Sequence, residues 1–213
     1  MEVILLILPI ACPIRMPNGG RGGEIAEIFL GNWLKKFSCR HDLVIATKFS
    51  APFKGSVNNY GLSRKYILKS IDESLKRLNT DYIDIYQSHD DYFDFPMEET
   101  HRTLETLIQS GKGKIYWVLK FYSLAFNEVS FICDSLGANR YISIQNCYNY
   151  IDRYPYEYEM MDLCRQENIA HATIYAFSTK GFLTGKYDRD FHFSSVRDPS
   201  VKNHMTMILA GPL

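Results

Sequence analysis

The sequence lacks the short patterns that identify several common classes of protein. It has no Cys-x-x-Cys pair, and its five cysteines are widely scattered, so we expect no zinc site of the usual spacing. It has no excess charge, because 24 Lys and Arg residues balance 24 Asp and Glu residues. We therefore expect no general attraction to nucleic acid or to an acidic membrane surface. A Gly-x-Gly-x-x-Gly loop is also absent.

Long apolar runs are absent as well, and the most apolar segment lies at the N-terminus. Residues 3–11, VILLILPIA, are too few to cross a bilayer as a helix. No Lys or Arg precedes them, whereas a secretory signal carries positive charge before its apolar core. We predict a buried strand within the atypical segment 1–15. An odd number of scattered cysteines is typical of free thiols in a reducing compartment, so we expect a cytoplasmic protein.

From residue 21 onward, segments of helical periodicity alternate with short apolar segments. The first predicted helix ends near Lys36, with Ile25, Ile28, Phe29 and Trp33 at helical spacing. Later predicted helices are one capped by Ser63, one from Met97 to Gly111, 123–136 and 157–167, and the predicted strands are 42–48, 82–87, 114–119, 141–146 and 169–175. The alternation predicts parallel strands and right-handed crossovers in a single α/β domain over residues 1–213.

Two polar residues stand where a parallel barrel carries catalytic groups, at the carboxyl ends of strands. Lys48 closes the segment LVIATK, and His89 follows YIDIYQS. Taken alone, a lysine at a strand end is typical of a solvated position, and a histidine is typical of a structural contact. The residues themselves therefore leave both interpretations open.

Five segments together resemble the aldo-keto reductase family, and most of all its aryl-alcohol-dehydrogenase-like branch. They are LVIATKFS, SLKRLNTDYIDIYQSHDD, PMEETHRTLETLIQSGKGK, ISIQNCYNYIDR and GFLTGKY, within residues 22–187. The resemblance implies a (β/α)8 TIM barrel that transfers hydride from NADPH to a small carbonyl substrate without a metal. Because a closed barrel needs about 250 residues and residues 188–213 form no clear pattern, we expect an incomplete barrel. Its open edges would be covered by the N-terminal run or by a partner chain.

The resemblance also implies roles for individual residues. Lys48 matches the lysine that lowers the pKa of the proton donor, and His89 matches the histidine that orients the carbonyl. The implied cofactor-binding residues are Gln145, which would hydrogen-bond the carboxamide, Tyr175, which would stack on the nicotinamide, and Phe177 and Ser178, whose backbone would hold the pyrophosphate.

In the family, the lysine and the histidine belong to a catalytic tetrad with an aspartate and a tyrosine. Neither the aspartate nor the tyrosine has a counterpart before the first predicted helix. No Asp precedes Asp42 and no Tyr precedes Tyr60. Three interpretations follow: a reductase that takes its proton from water or from another tyrosine such as Tyr60; a non-catalytic binding or regulatory relative, similar to channel β subunits; or a truncated or degraded gene product. The sequence does not distinguish NADPH from NADH, because the segment that would do so has no counterpart.

Overall fold

Parallel strands and helices alternate along the chain, which confirms the predicted α/β class. The computed structural model describes residues 4–7, 22–49, 61–88, 95–116, 123–146, 148–150 and 153–171. Within them the order is β1 (Ile4–Ile7), α1 (Gly22–Phe37), β2 (Leu43–Phe49), α2 (Arg64–Leu78), β3 (Ile83–Ser88), α3 (Met97–Gln109), β4 (Gly113–Tyr116), α4 (Ser123–Leu136), β5 (Ser143–Ile144), α5 (Tyr154–Glu157), α6 (Met161–Gln166) and β6 (Ala170–His171).

The described strands form two parallel sheets. The first has the order β1-β2-β3-β4, and the second pairs β5 with β6. The apolar N-terminal run therefore includes a strand, since Ile4–Ile7 pairs in parallel with Leu43–Ala46 of β2. Parallel neighbours joined through helices are the repeating unit of a (β/α)8 barrel. The described part of the chain is consistent with the incomplete barrel that the sequence predicts.

Several helix boundaries are set by capping and turn residues that are recognisable in the sequence. The side chain of Ser63 accepts a hydrogen bond from the backbone N–H of Tyr66 and so begins α2. Asn79 ends α2 in the left-handed conformation, with a φ of 51°. Gly111, with a φ of 74°, ends the turn after α3, as expected for a glycine at this position.

The second half of the chain departs from the predicted boundaries. The predicted helix 157–167 is two short helices, α5 and α6, separated by a turn at Tyr158–Met160. The predicted strand 141–146 pairs with its neighbour only at Ser143–Ile144. Residues 117–119 and 172–175 of two other predicted strands lie outside the described residues.

The apolar residues at helical spacing in α1 do not form the buried face of that helix. Ile28, Phe29 and Trp33 are exposed, Phe29 by 72%. The buried face of α1 instead contains Gly31, Leu34 and the carboxylate of Glu27. A buried charge and a glycine do not count toward an apolar stripe, so a periodicity argument selects the wrong side of this helix.

One apolar core lies between the sheets and the helices. On α2 the predicted stripe is confirmed, because Ile67, Ile71, Leu75 and Leu78 are all buried. These residues pack in one cluster with side chains of β2, β3, α3, α4, β5 and α6. No helix among the described residues is both long and apolar enough to cross a membrane.

Candidate active site at the carboxyl ends of the strands

Side-chain contacts identify the two faces of β2 and β3. The Thr47 hydroxyl donates a hydrogen bond of 2.6 Å to the Glu27 carboxylate on α1, so Thr47 faces the helices. Tyr86 stacks on Phe49 with ring centroids 4.5 Å apart, so Tyr86 faces the helices too. Because strand side chains alternate between faces, Lys48 and Gln87 lie on the opposite face, which is the inner face of a barrel.

The register of β2 and β3 brings Lys48 and Gln87 together. The Cα atoms of Lys48 and Gln87 are partners, as are those of Phe49 and Ser88, at the carboxyl end of each strand. Lys48 is half-buried, whereas Gln87 is only 2% exposed. The side-chain oxygen of Gln87 has no hydrogen-bond partner in the described structure. This edge therefore combines a cation with a buried acceptor.

His89 follows Ser88 directly in the chain but lies outside the described residues. Tyr175, Phe177 and Ser178 also lie outside them. Of the six residues implied by the family resemblance, the structure therefore describes only Lys48 and Gln145. The roles of all six stay predictions.

Gln145 lies directly after β5, at the carboxyl end of that strand. Its side chain is half-buried, and the neighbouring Asn146 is buried. A side-chain amide both donates and accepts, so it is complementary to the carboxamide of a nicotinamide ring. The residue type and its position at a strand end fit a nicotinamide cofactor.

Tyr86, although it lies next to Gln87 in the chain, is not placed to act as a proton donor at this edge. Its ring faces the helices, where it stacks on Phe49. Complete burial raises the pKa of this phenol well above its ordinary value. A phenol on the wrong face with a raised pKa does not deliver a proton to the inner face.

Gln87 lies at this edge, and no sequence motif assigns it a role there. It stands two positions before His89 in YIDIYQSHDD, a spacing that in a continuous strand predicts a shared face for the two side chains. That spacing was the available signal. Without the register to β2, however, the sequence does not pair Gln87 with Lys48.

A groove of about 900 Å³ lies at the opposite end of the strands and is not the site. It is lined by the last turns of α1 and α2 and by Arg40 and Tyr82, which precede β2 and β3. The Arg40 guanidinium already pairs with Asp84 at 2.7 Å and lies 3.8 Å from the centre of the Tyr82 ring. In parallel barrels this amino-terminal end contributes to stability rather than to chemistry.

Comparison with known proteins gives one consistent result. The model of the aldo/keto reductase family matches residues 22–210. Protein tas of Escherichia coli is 31% identical over 191 residues, covering 76% of this chain and 53% of that protein. A protein named as a voltage-gated potassium channel subunit beta, from Schizosaccharomyces pombe, is 32% identical over 166 residues, covering 76% and 48%.

Solved structures agree with the sequence matches. An aldo-keto reductase of Bacillus halodurans in its holo form superposes with a TM-score of 0.63 at 27% sequence identity. The superposition covers 79% of this chain and 54% of the other. The chain thus spans about half the length of the relatives that it matches.

Proposed function

Because the chain belongs to the aldo/keto reductase family, we propose that it transfers hydride between NADPH and the carbonyl carbon of a small aldehyde or ketone. One observation carries the proposal. The β2–β3 register aligns the half-buried Lys48 with Gln87 at the carboxyl ends of adjacent strands, two residues before His89. This is the edge at which parallel barrels hold their reacting groups.

In this proposal Lys48 and His89 act on the carbonyl oxygen. His89 donates a hydrogen bond that orients the carbonyl, and the Lys48 ammonium stabilises the negative charge that develops on oxygen as the carbon is reduced. The proton that completes the alcohol comes from water or from Tyr60. Replacing Tyr60 with Phe distinguishes these two sources, because only the second loses activity.

The cofactor supplies the hydride when it is bound. Gln145 would hold the carboxamide of the nicotinamide, and Tyr175 would stack on its ring. The backbone of Phe177 and Ser178 would hold the pyrophosphate. The position of Gln145 after β5 supports the first of these assignments.

The test is oxidation of NADPH, followed by its absorbance, with a panel of aldehydes and ketones. We expect Lys48→Met to reduce kcat/KM by about 10²- to 10³-fold, the usual loss when one electrostatic contact to a developing oxyanion is removed. His89→Ala is expected to fall in the same range. Repeating the assay with NADH tests the cofactor preference.

Lys65→Met is the matched control, because Lys65 is exposed on the first turn of α2. We expect it to retain wild-type turnover. A wild-type protein that binds NADPH but reduces no member of the panel would contradict the proposed reaction. Equal activity of the Lys48→Met and Lys65→Met variants would contradict the role of Lys48.

A second candidate is a binding or regulatory subunit. The match to a protein named as a potassium channel subunit beta favours it, together with the exposed apolar residues of α1. This candidate predicts cofactor binding without turnover. It also predicts a stable complex with another chain that is weakened by Phe29→Glu, a change on the exposed face of α1.

A further inference from the structure

We infer that Gln87 is a positioning residue, whose side-chain oxygen accepts a hydrogen bond from the Lys48 ammonium. The inference deepens the proposed function and rests on it, since it assigns a partner to the lysine that the reaction uses. No role for Gln87 follows from the resemblance of the sequence to the family.

The two side chains start close together on the same face of the sheet. Lys48 and Gln87 are Cα partners of neighbouring parallel strands, which lie about 4.8 Å apart. Both side chains lie on the face opposite the helices, as the contacts of Thr47 and Tyr86 establish. Two long side chains that start this close on the same face reach each other without any change in the backbone.

Gln87 provides a buried hydrogen-bond acceptor. Gln87 is 2% exposed, and its side-chain oxygen has no hydrogen-bond partner in the part of the chain that the structure describes. A buried acceptor without a partner is destabilising, so it needs an explanation. The oxygen is not bonded to Lys48 in this structure, and a change of side-chain rotamer is what would bring the two groups together. The Lys48 ammonium is the cation next to it in the register.

Lys48 has enough donor groups for this additional hydrogen bond. A lysine ammonium has three N–H donors, so Lys48 bonds Gln87 while keeping its other interaction in the structure. A neutral amide also holds the ammonium without cancelling its charge. The positive charge therefore remains available to the carbonyl oxygen of a substrate.

The experiment measures the titration of the Lys48 ammonium itself. Protein labelled with ¹³C at the lysine Cε is titrated by NMR, and the Lys48 signal is assigned from its loss in Lys48→Arg. We expect Gln87→Met, which is close in shape but has no acceptor, to lower the titration midpoint of Lys48 by about one to two pH units. That is the size of one lost hydrogen bond to a charged group. Gln87→Glu is expected to raise the midpoint.

Tyr86→Phe is the matched control, because it removes a buried side-chain oxygen from the same strand, but on the helix-facing side. We expect it to leave the Lys48 midpoint unchanged. If Gln87→Met also leaves the midpoint unchanged, the inference is overturned. The readout needs no turnover, so failure of the proposed reaction and failure of this contact are seen separately.

Discussion

At the scale of single residues, the fold depends on a carboxylate that is entirely buried. Glu27 is 0% exposed; it accepts hydrogen bonds of 2.6 Å from the Thr47 hydroxyl and of 2.6 Å from Arg77. It therefore joins α1, β2 and α2 at one point. We expect Glu27→Ala to lower the free energy of unfolding by roughly 3 kcal/mol, because it leaves Arg77 without its buried partner. Urea unfolding followed by circular dichroism measures this change.

Glu73→Ala is the control for that prediction, because Glu73 approaches the same arginine from an exposed position. The Glu73–Arg77 distance is 4.0 Å, and the Glu73 side chain is 48% exposed. An exposed pair of this kind contributes at most about 1 kcal/mol. If Glu27→Ala lowers the free energy of unfolding by no more than Glu73→Ala does, the buried ion pair stabilises the fold no more than the exposed one.

Single residues also show how far the site follows from the sequence. The position of Lys48 near the carboxyl end of a strand was predictable, because it ends an apolar β-branched segment, while its role in the site stays a prediction. Gln87 was not paired with it, since only the register of two strands makes them neighbours. Glu27 was not recognised either, because a lone acid in an apolar pattern is typical of a solvated position. Contacts between residues that are far apart in the chain leave no local sequence pattern from which they could be predicted.

At the scale of elements, the close packing of α1 against α2 requires a glycine. A Cβ atom built on Gly31 would lie 2.2 Å from the Arg77 carbonyl oxygen and 2.8 Å from the Leu78 carbonyl carbon. These are backbone atoms, so no change of rotamer relieves the contact. Gly31→Ala gains about 1 kcal/mol in helix propensity, yet overpacking costs about 1–3 kcal/mol.

We expect a net loss of stability in Gly31→Ala, because the two helices must separate. Thermal unfolding measures it, with Gly113→Ala as the matched control. A Cβ on Gly113 would meet only the Leu107 Cβ, at 3.9 Å, which is an ordinary contact. A Gly31→Ala protein more stable than wild type would show that α1 and α2 adjust freely.

The bounds of the helices were predicted better than the face that each helix buries. The bounds of α4 match the prediction, and α2 has both its predicted cap and its predicted buried stripe. For α1 the segment was right and the buried face was wrong, because Gly31 and Glu27 take the inward positions. Periodicity finds a helix from its apolar residues, whereas packing between helices also selects for small residues and buried ion pairs.

At the scale of the whole molecule, the buried His101 and the half-buried His171 couple the fold to pH. Burial lowers the pKa of His101, whose Nδ1–H donates to the Met97 carbonyl at 2.7 Å. Burial also lowers the pKa of His171 to about 4, where its ring stacks on Tyr156 with centroids 3.6 Å apart. Both histidines are therefore neutral in the folded protein at pH values where an unfolded chain binds protons.

The sign of the pH dependence follows from this difference. An unfolded histidine titrates near about 6.5, so above that pH both states are neutral and the full stability is present. As the pH falls from there toward the folded value of about 4 for His171, the unfolded state binds more protons and stability is lost. The carboxylates of Asp134 and Glu157, whose pKa values are lowered by their arginine partners, contribute losses only at more acidic pH.

We therefore expect the free energy of unfolding to fall steadily between about pH 7 and about pH 5, a window set by the ordinary histidine pKa. His171→Phe keeps an aromatic ring against Tyr156 but binds no proton, so it should flatten the slope. Tyr148→Phe, which changes a ring that meets His171 edge-on, should leave the slope as in wild type. Urea unfolding at several pH values measures all three proteins. An equal slope in His171→Phe and wild type would show that His171 is accessible to protons in the folded state.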